Sequence, residues 1–185
     1  MGAKAAFIDR DGVINEERDY VHRVEDFRIL PGVVEGLRLL QEQGWALVVI
    51  TNQAGIARGL YTEADFQRLT AHMLAQLRRD EIRIDGVYHC PHHPTAGFGE
   101  YLRDCDCRKP RPGMLLAAAR QLDLALADSV IVGDKDSDLE AGRAAGLQAC
   151  VLVESGHAPG PRARAMADHV CPGLQQAAQW IVSRG

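Results

Sequence analysis

Ala5-Ala6-Phe7-Ile8-Asp9-Arg10-Asp11-Gly12-Val13-Ile14-Asn15 is the stretch from which the fold is read. Four apolar residues run into two aspartates one position apart, and a glycine follows at once. A short apolar run bounded in this way predicts a buried strand. Asp9 then stands at its C-terminal end, the edge at which open α/β sheets receive ligands. Gly12 lets the chain turn sharply there. Side chains two apart on an extended chain leave on the same side, so Asp9 and Asp11 can converge on one centre. A divalent cation would offset the repulsion of two such carboxylates. They can also divide labour, one attacking as a nucleophile while the other moves a proton. The plain alternative is an Asp-rich turn after a strand.

Working outward, Trp45 to Ile50 is a second wholly apolar strand, which delivers Thr51-Asn52-Gln53 to the same edge. Gly86 to His89, Ser129 to Val132 and Gln148 to Val153 read as further strands, the second of these ending in Gly133-Asp134. Between them lie helical patterns. Pro31-Gly32 opens one that Gly44 ends, and Thr62, with Asp65 as a capping-box partner, opens one that runs to about Arg79. Met114 to Leu122 is another, and Asp136 or Ser137 caps one that Gly146 terminates. Leu174 to Val182 reads as a closing helix, while Glu16 to Phe27 and 154–164 read as loops. Alternation of this kind predicts an α/β fold: a doubly wound, mainly parallel sheet with helices on both faces, in one domain over 1–185. Only 39 residues separate Asp11 from Thr51, so a flap fits there and a cap domain does not.

The chain has 185 residues, 46% hydrophobic and 25% charged, with a net charge of -4. That balance suits a single soluble core and gives no bulk electrostatic support for nucleic-acid binding. No apolar run exceeds six residues, far short of a membrane span. With a strand a few residues from the N-terminus and an odd count of five cysteines, we expect a cytoplasmic protein, and a monomer.

Three of those cysteines cluster. Cys90-Pro91-His92 and Cys105-Asp106-Cys107 are separated by twelve residues. Three thiolates and an imidazole match a structural tetrahedral zinc site, with His93 as a spare fourth ligand. The single-residue spacing within each pair is tighter than in common zinc fingers, and a set of unpaired buried cysteines is the alternative. Four protein ligands would leave no open position, so the metal would order the loop, about 90–109, which is otherwise poor in apolar residues. Other polar groups fall near the strand ends. Thr51 and Asn52 could hold a phosphate oxygen, Lys109 could offset its charge, and Asp134, Asp136 and Asp138 follow a strand in a cluster that also suits a helix start. No Walker-type glycine-rich lysine loop is present.

Asp9-Arg10-Asp11-Gly12-Val13-Ile14, Thr51-Asn52, Lys109-Pro110 and Gly133-Asp134, in this order, resemble the four motifs of the haloacid dehalogenase-like (HAD) phosphatases over nearly the whole chain. The resemblance implies the Rossmannoid HAD fold without a cap. It implies that Asp9 is the nucleophile and Asp11 the general acid and base, that Thr51 and Lys109 bind the transferring phosphoryl group, and that Asp9, the Asp11 backbone carbonyl and Asp134 hold Mg²⁺. The Cys-x-His…Cys-x-Cys loop with Cys107-Arg108-Lys109-Pro110 looks like that of the D-glycero-D-manno-heptose-1,7-bisphosphate 7-phosphatases. Histidinol-phosphate phosphatases share the loop type. The expected substrate is a small sugar bisphosphate on the way to activated heptose for surface glycans, and Zn²⁺ and Mg²⁺ are the expected metals. Asn52, Arg108, Lys135, Arg18 and Arg58 are candidate substrate contacts, Arg108 first among the arginines because it stands beside Lys109 and would be fixed by the zinc loop; a guanidinium can grip phosphate in bidentate fashion, which a point charge cannot. A non-catalytic zinc-stabilised binding module is the alternative of a different class.

Overall fold

The computed structural model describes residues 2–184. Its centre is a six-stranded, all-parallel sheet. The strands are β1 (Ala5–Ile8), β2 (Ala46–Asn52), β3 (Gly86–Cys90), β4 (Val130–Gly133), β5 (Ala149–Val153) and β6 (His169–Cys171), in the spatial order β3-β2-β1-β4-β5-β6. β1 lies in the middle, pairing Phe7 with Val48 of β2 on one side and with Ile131 of β4 on the other.

The helices are α1 (Val33–Glu42), α2 (Ala54–Ala57), α3 (Glu63–Arg79), α4 (Gly113–Leu122), α5 (Asp136–Ala145), α6 (Pro161–Met166) and α7 (Leu174–Val182). The two-residue period of the strands assigns them to faces. Ala6, Ile8, Leu47, Val49, Val132 and Val151 point to the side covered by α1, α3 and α7. Ala5, Phe7, Val48, Ile50, Ile131 and Leu152 point to the side covered by α4, α5 and α6. Burial on both faces explains why the strands read as unbroken apolar runs without alternation.

The expected strands and long helices are present, and the Thr62–Asp65 capping box at α3 forms in both directions. Among the strands and α-helices, three were not anticipated: α2, α6 and β6, of four, six and three residues. The start of α5 also differs. Neither Asp136 nor Ser137 is its cap: the cap position is Lys135, whose backbone N–H donates to Asp138 Oδ2 at 3.1 Å. No separate domain interrupts the chain between β1 and β2. The stretch after β1 folds over the sheet edge as a flap, held where Glu16 N–H donates to the Arg28 carbonyl and Leu30 N–H to that of Ile14. No helix among the described residues is long and apolar enough to cross a membrane.

Candidate active site

Parallel strands end on one edge, and at that edge lies a crevice of about 500 Å³. Asp9, Asp11, Thr51, Asn52, Lys109 and Lys135 all line it, together with Arg58 and Arg108. Asp9 follows β1 directly and its N–H donates to the Val132 carbonyl of β4, so the central strands fix its position. Gly12 makes the turn behind it at φ +85°, and a Cβ there would come within 2.5 Å of Asp134 Oδ2. Only glycine meets both requirements.

Lys109 is buried to 3% exposure and stands between two carboxylates. Its Nζ is 2.9 Å from Asp9 Oδ1 and 2.6 Å from Asp138 Oδ1, and it donates to the Ile50 carbonyl at 3.0 Å. Burial alone would lower the ammonium, but the charges of Asp138 and Asp9 outweigh it and hold the group above its ordinary range. Asp9 moves the other way from an ordinary carboxylate. Burial and the nearby Asp138 push it up to about 6, against the pull of Lys109. Its Oδ1 accepts from the Arg10 N–H at 2.8 Å as well as meeting Lys109, so Oδ2 is the less committed oxygen. Asp134, raised by burial and by Asp9, accepts on Oδ2 from the backbone and the ring of His157, at 2.9 and 2.7 Å.

Asp9, Asp134 and Asp138 bring carboxylate oxygens within 4.8 Å of one another. Asp134 Oδ1 is buried without a hydrogen-bond partner, a costly state that a cation would relieve. Oxygen donors around an orphaned buried oxygen fit Mg²⁺.

Asp11 is gripped from three sides. Arg10 donates to its Oδ1 from Nη2 at 2.8 Å and also to the Val21 carbonyl of the flap. Asn15 donates to Oδ1 at 3.0 Å, and Gln53 donates to Oδ2 at 3.1 Å. Asn52, expected at the substrate, has its amide engaged with the backbone of Lys109 at both ends, each at 3.0 Å. Arg108 donates from Nη1 to the His92 carbonyl at 3.3 Å. Arg58 lies over the Tyr20 ring, and Lys135 faces Glu17 at 3.9 Å. Arg18 is not brought in: it is exposed, pairs with Glu16 and stands outside the crevice lining.

Cys90, His92, Cys105 and Cys107 converge as a second group with ligand atoms within 4.8 Å of one another. The three thiols are unbridged, their Sγ atoms 3.1–3.5 Å apart, and His92 Nδ1 lies 3.3 Å from the Cys107 sulfur. Hydrogen bonding with Cys90 and Cys105 draws the Cys107 thiol below its ordinary value. Three thiols and an imidazole this close together make a zinc donor set. His93 is not part of it, because its Nδ1 accepts from the backbone of Thr95 and Ala96.

Arg10, Asn15, Gln53, Asp138 and His157 are the residues that sequence reasoning did not single out. Each acts on another side chain of the site, and only the acidic run after β4 carried any trace of them, at Asp138.

Comparison with known proteins places these features in a family. The HAD-hydrolase-like family model matches residues 106–177. The D-glycero-beta-D-manno-heptose-1,7-bisphosphate 7-phosphatase of Escherichia coli (strain K12) is 46% identical over 177 residues, covering 96% of this chain and 93% of that protein. The enzyme of the same name from Vibrio cholerae is 42% identical over 182 residues, covering 98% of each chain. Among solved structures, the D,D-heptose 1,7-bisphosphate phosphatase from B. bronchiseptica, complexed with magnesium and phosphate, superposes with a TM-score of 0.84 at 34% identity, covering 98% of this chain and 99% of that one.

Proposed function

The chain belongs to the D-glycero-beta-D-manno-heptose-1,7-bisphosphate 7-phosphatase family of HAD-like hydrolases, and on that premise we propose that it hydrolyses the C7 phosphate of D-glycero-D-manno-heptose 1,7-bisphosphate through an aspartyl-phosphate at Asp9. The observation that carries the mechanism is the contact of Lys109 with Asp9 at the end of β1, in a crevice that Asp11 and Thr51 also line.

In this reading Asp9 Oδ2 attacks phosphorus while Asp11 protonates the departing C7 oxygen. Asp11 then takes a proton from the water that hydrolyses the acyl phosphate. Lys109 and the Thr51 hydroxyl meet the phosphoryl oxygens, supplying the positioning and charge neutralisation that phosphoryl transfer requires. Asp9, Asp134 and the Asp11 backbone carbonyl would hold Mg²⁺, which when bound neutralises phosphate charge. Asp138 is committed to Lys109 and keeps that ammonium in place. Cys90, His92, Cys105 and Cys107 would hold Zn²⁺, which orders the loop carrying Arg108 and Lys109.

The experiment is a phosphate-release assay with Mg²⁺ on heptose 1,7-bisphosphate in both anomers and on histidinol phosphate. Phosphorus NMR of the heptose product should show the C1 phosphate retained. Preference for histidinol phosphate, or loss of the C1 phosphate, would reject this reading.

A further inference from the structure

Gln53 is 3% exposed, and its one amide joins three side chains. Nε2 donates to Asp11 Oδ2 at 3.1 Å and to Thr51 Oγ1 at 2.8 Å, while Oε1 accepts from the Tyr61 hydroxyl. Both amide hydrogens and the carbonyl are therefore engaged. Because Thr51 Oγ1 accepts from Gln53, its own hydrogen remains free to donate into the crevice. Turned over, the amide would set its carbonyl against the Asp11 carboxylate and draw off the Thr51 hydrogen.

Tyr61 opposes that turn. Its hydroxyl donates to Gln53 Oε1, and this bond holds the amide with its nitrogen towards Asp11 and Thr51. The ring itself cannot drift. It stacks on His22 of the flap, centroids 5.0 Å apart and planes at 5°. On the other side it rests so closely on Gly55 that a Cβ there would lie 2.0 Å from Cε1.

We infer that Gln53, locked in orientation by Tyr61, is a positioning residue that aligns the Asp11 carboxyl and the Thr51 hydroxyl for phosphoryl transfer. The inference rests on the reading of Asp11 as proton donor, and it concerns how that donor is aimed, whatever sugar is bound. A poorly aimed acid matters most when the leaving oxygen is basic and needs its proton as the bond breaks. A nitrophenolate leaves without that help. The diagnostic quantity is thus the dependence of kcat/KM on leaving-group basicity, which a general loosening of the fold would not alter.

Tyr61→Phe keeps the ring and its packing and removes only the lock; Gln53→Met keeps the volume and removes the amide. Both variants, their double and the parent should be assayed on aryl phosphates from p-nitrophenyl to phenyl. We expect Tyr61→Phe to lower kcat/KM about tenfold on phenyl phosphate and less than about twofold on p-nitrophenyl phosphate, steepening the leaving-group slope. Gln53→Met should be worse, and adding Tyr61→Phe to it should cost nothing further, because the two act through one contact. A parallel drop across the series with an unchanged slope, or additive losses in the double variant, would overturn the inference. An unmutated protein active on aryl phosphates but not on heptose bisphosphate would reject the substrate reading and leave this test intact.

Discussion

At the residue scale, Asp9 carries opposing demands. It must be ionised to attack, yet burial and Asp138 push it up to about 6 from an ordinary value of 3.8. In the absence of a cation, the folded chain then holds this proton more tightly than the unfolded chain. The stability the group contributes is full below about pH 3.8 and is lost as the pH rises towards 6. A shift of this size corresponds to on the order of 2–3 kcal/mol. Asp9→Asn should therefore abolish turnover and yet stabilise the magnesium-free protein by about that amount above pH 6, the gain fading towards pH 4. Thermal unfolding of both proteins at two pH values checks the sign, and added Mg²⁺ should raise the melting temperature of the parent more than that of the variant. A destabilised variant at neutral pH would show that the Lys109 contact outweighs the burial. Sequence made Asp9, Asp11, Thr51, Lys109 and Asp134 legible because each flanks a strand or helix that could be read. It did not reveal the grip of Gln53 on Asp11 or of His157 on Asp134, for these join positions 42 and 23 residues apart with no local pattern to link them.

At the scale of elements, the same division holds. β1, β2, β4 and β5 were legible because strands buried on both faces are apolar throughout. β6, α2 and α6 were not, since elements of three to six residues hold too little period to read, and β6 exists through its pairing with β5. The cysteine loop is the informative case. It has little regular structure, and what converges in it is a donor set. Zinc analysis of the purified protein should find about one equivalent per chain, retained under chelation mild enough to strip Mg²⁺. Cys107→Ser should lose that zinc. Because Arg108 and Lys109 follow at once in the chain, it should also cost roughly 10- to 100-fold in kcat/KM through displacement of Lys109 from Asp9. A zinc-free parent of full activity would remove the metal from the loop, and a zinc-free variant of full activity would uncouple the loop from the site.

At the scale of the whole molecule, the parallel sheet gathers strand ends into one crevice, and among the described residues no cap closes it. Selectivity must then come from the rim, which is built by the flap, the end of β2 and the segment after it, the cysteine loop, the start of α5 and the loop after β5. The rim is mixed in charge: Glu17 and Asp19 line it together with Arg58, Arg108 and Lys135. Burial raises Glu17, with Asp11 adding to the shift, and Lys135 near Glu17 is partly neutralised by it. Arg58 is drawn over Tyr20. Arg108 has no carboxylate partner among the described ion pairs, and its contact to the His92 carbonyl ties it to the cysteine loop without consuming its charge. It is the cation best placed for the second phosphate of a bisphosphorylated sugar, and binding energy gained there can be spent on the barrier at the far end of the substrate. Arg108→Ala should lower kcat/KM for heptose bisphosphate by about 10- to 100-fold, the worth of a charge-assisted hydrogen bond pair, and for p-nitrophenyl phosphate by less than about threefold. Lys should restore only part of the loss, since a point charge cannot reproduce the fork. Equal losses on the two substrates would mean that Arg108 supports Lys109 or the loop, and that the second phosphate is met by Arg58 or Lys135 instead.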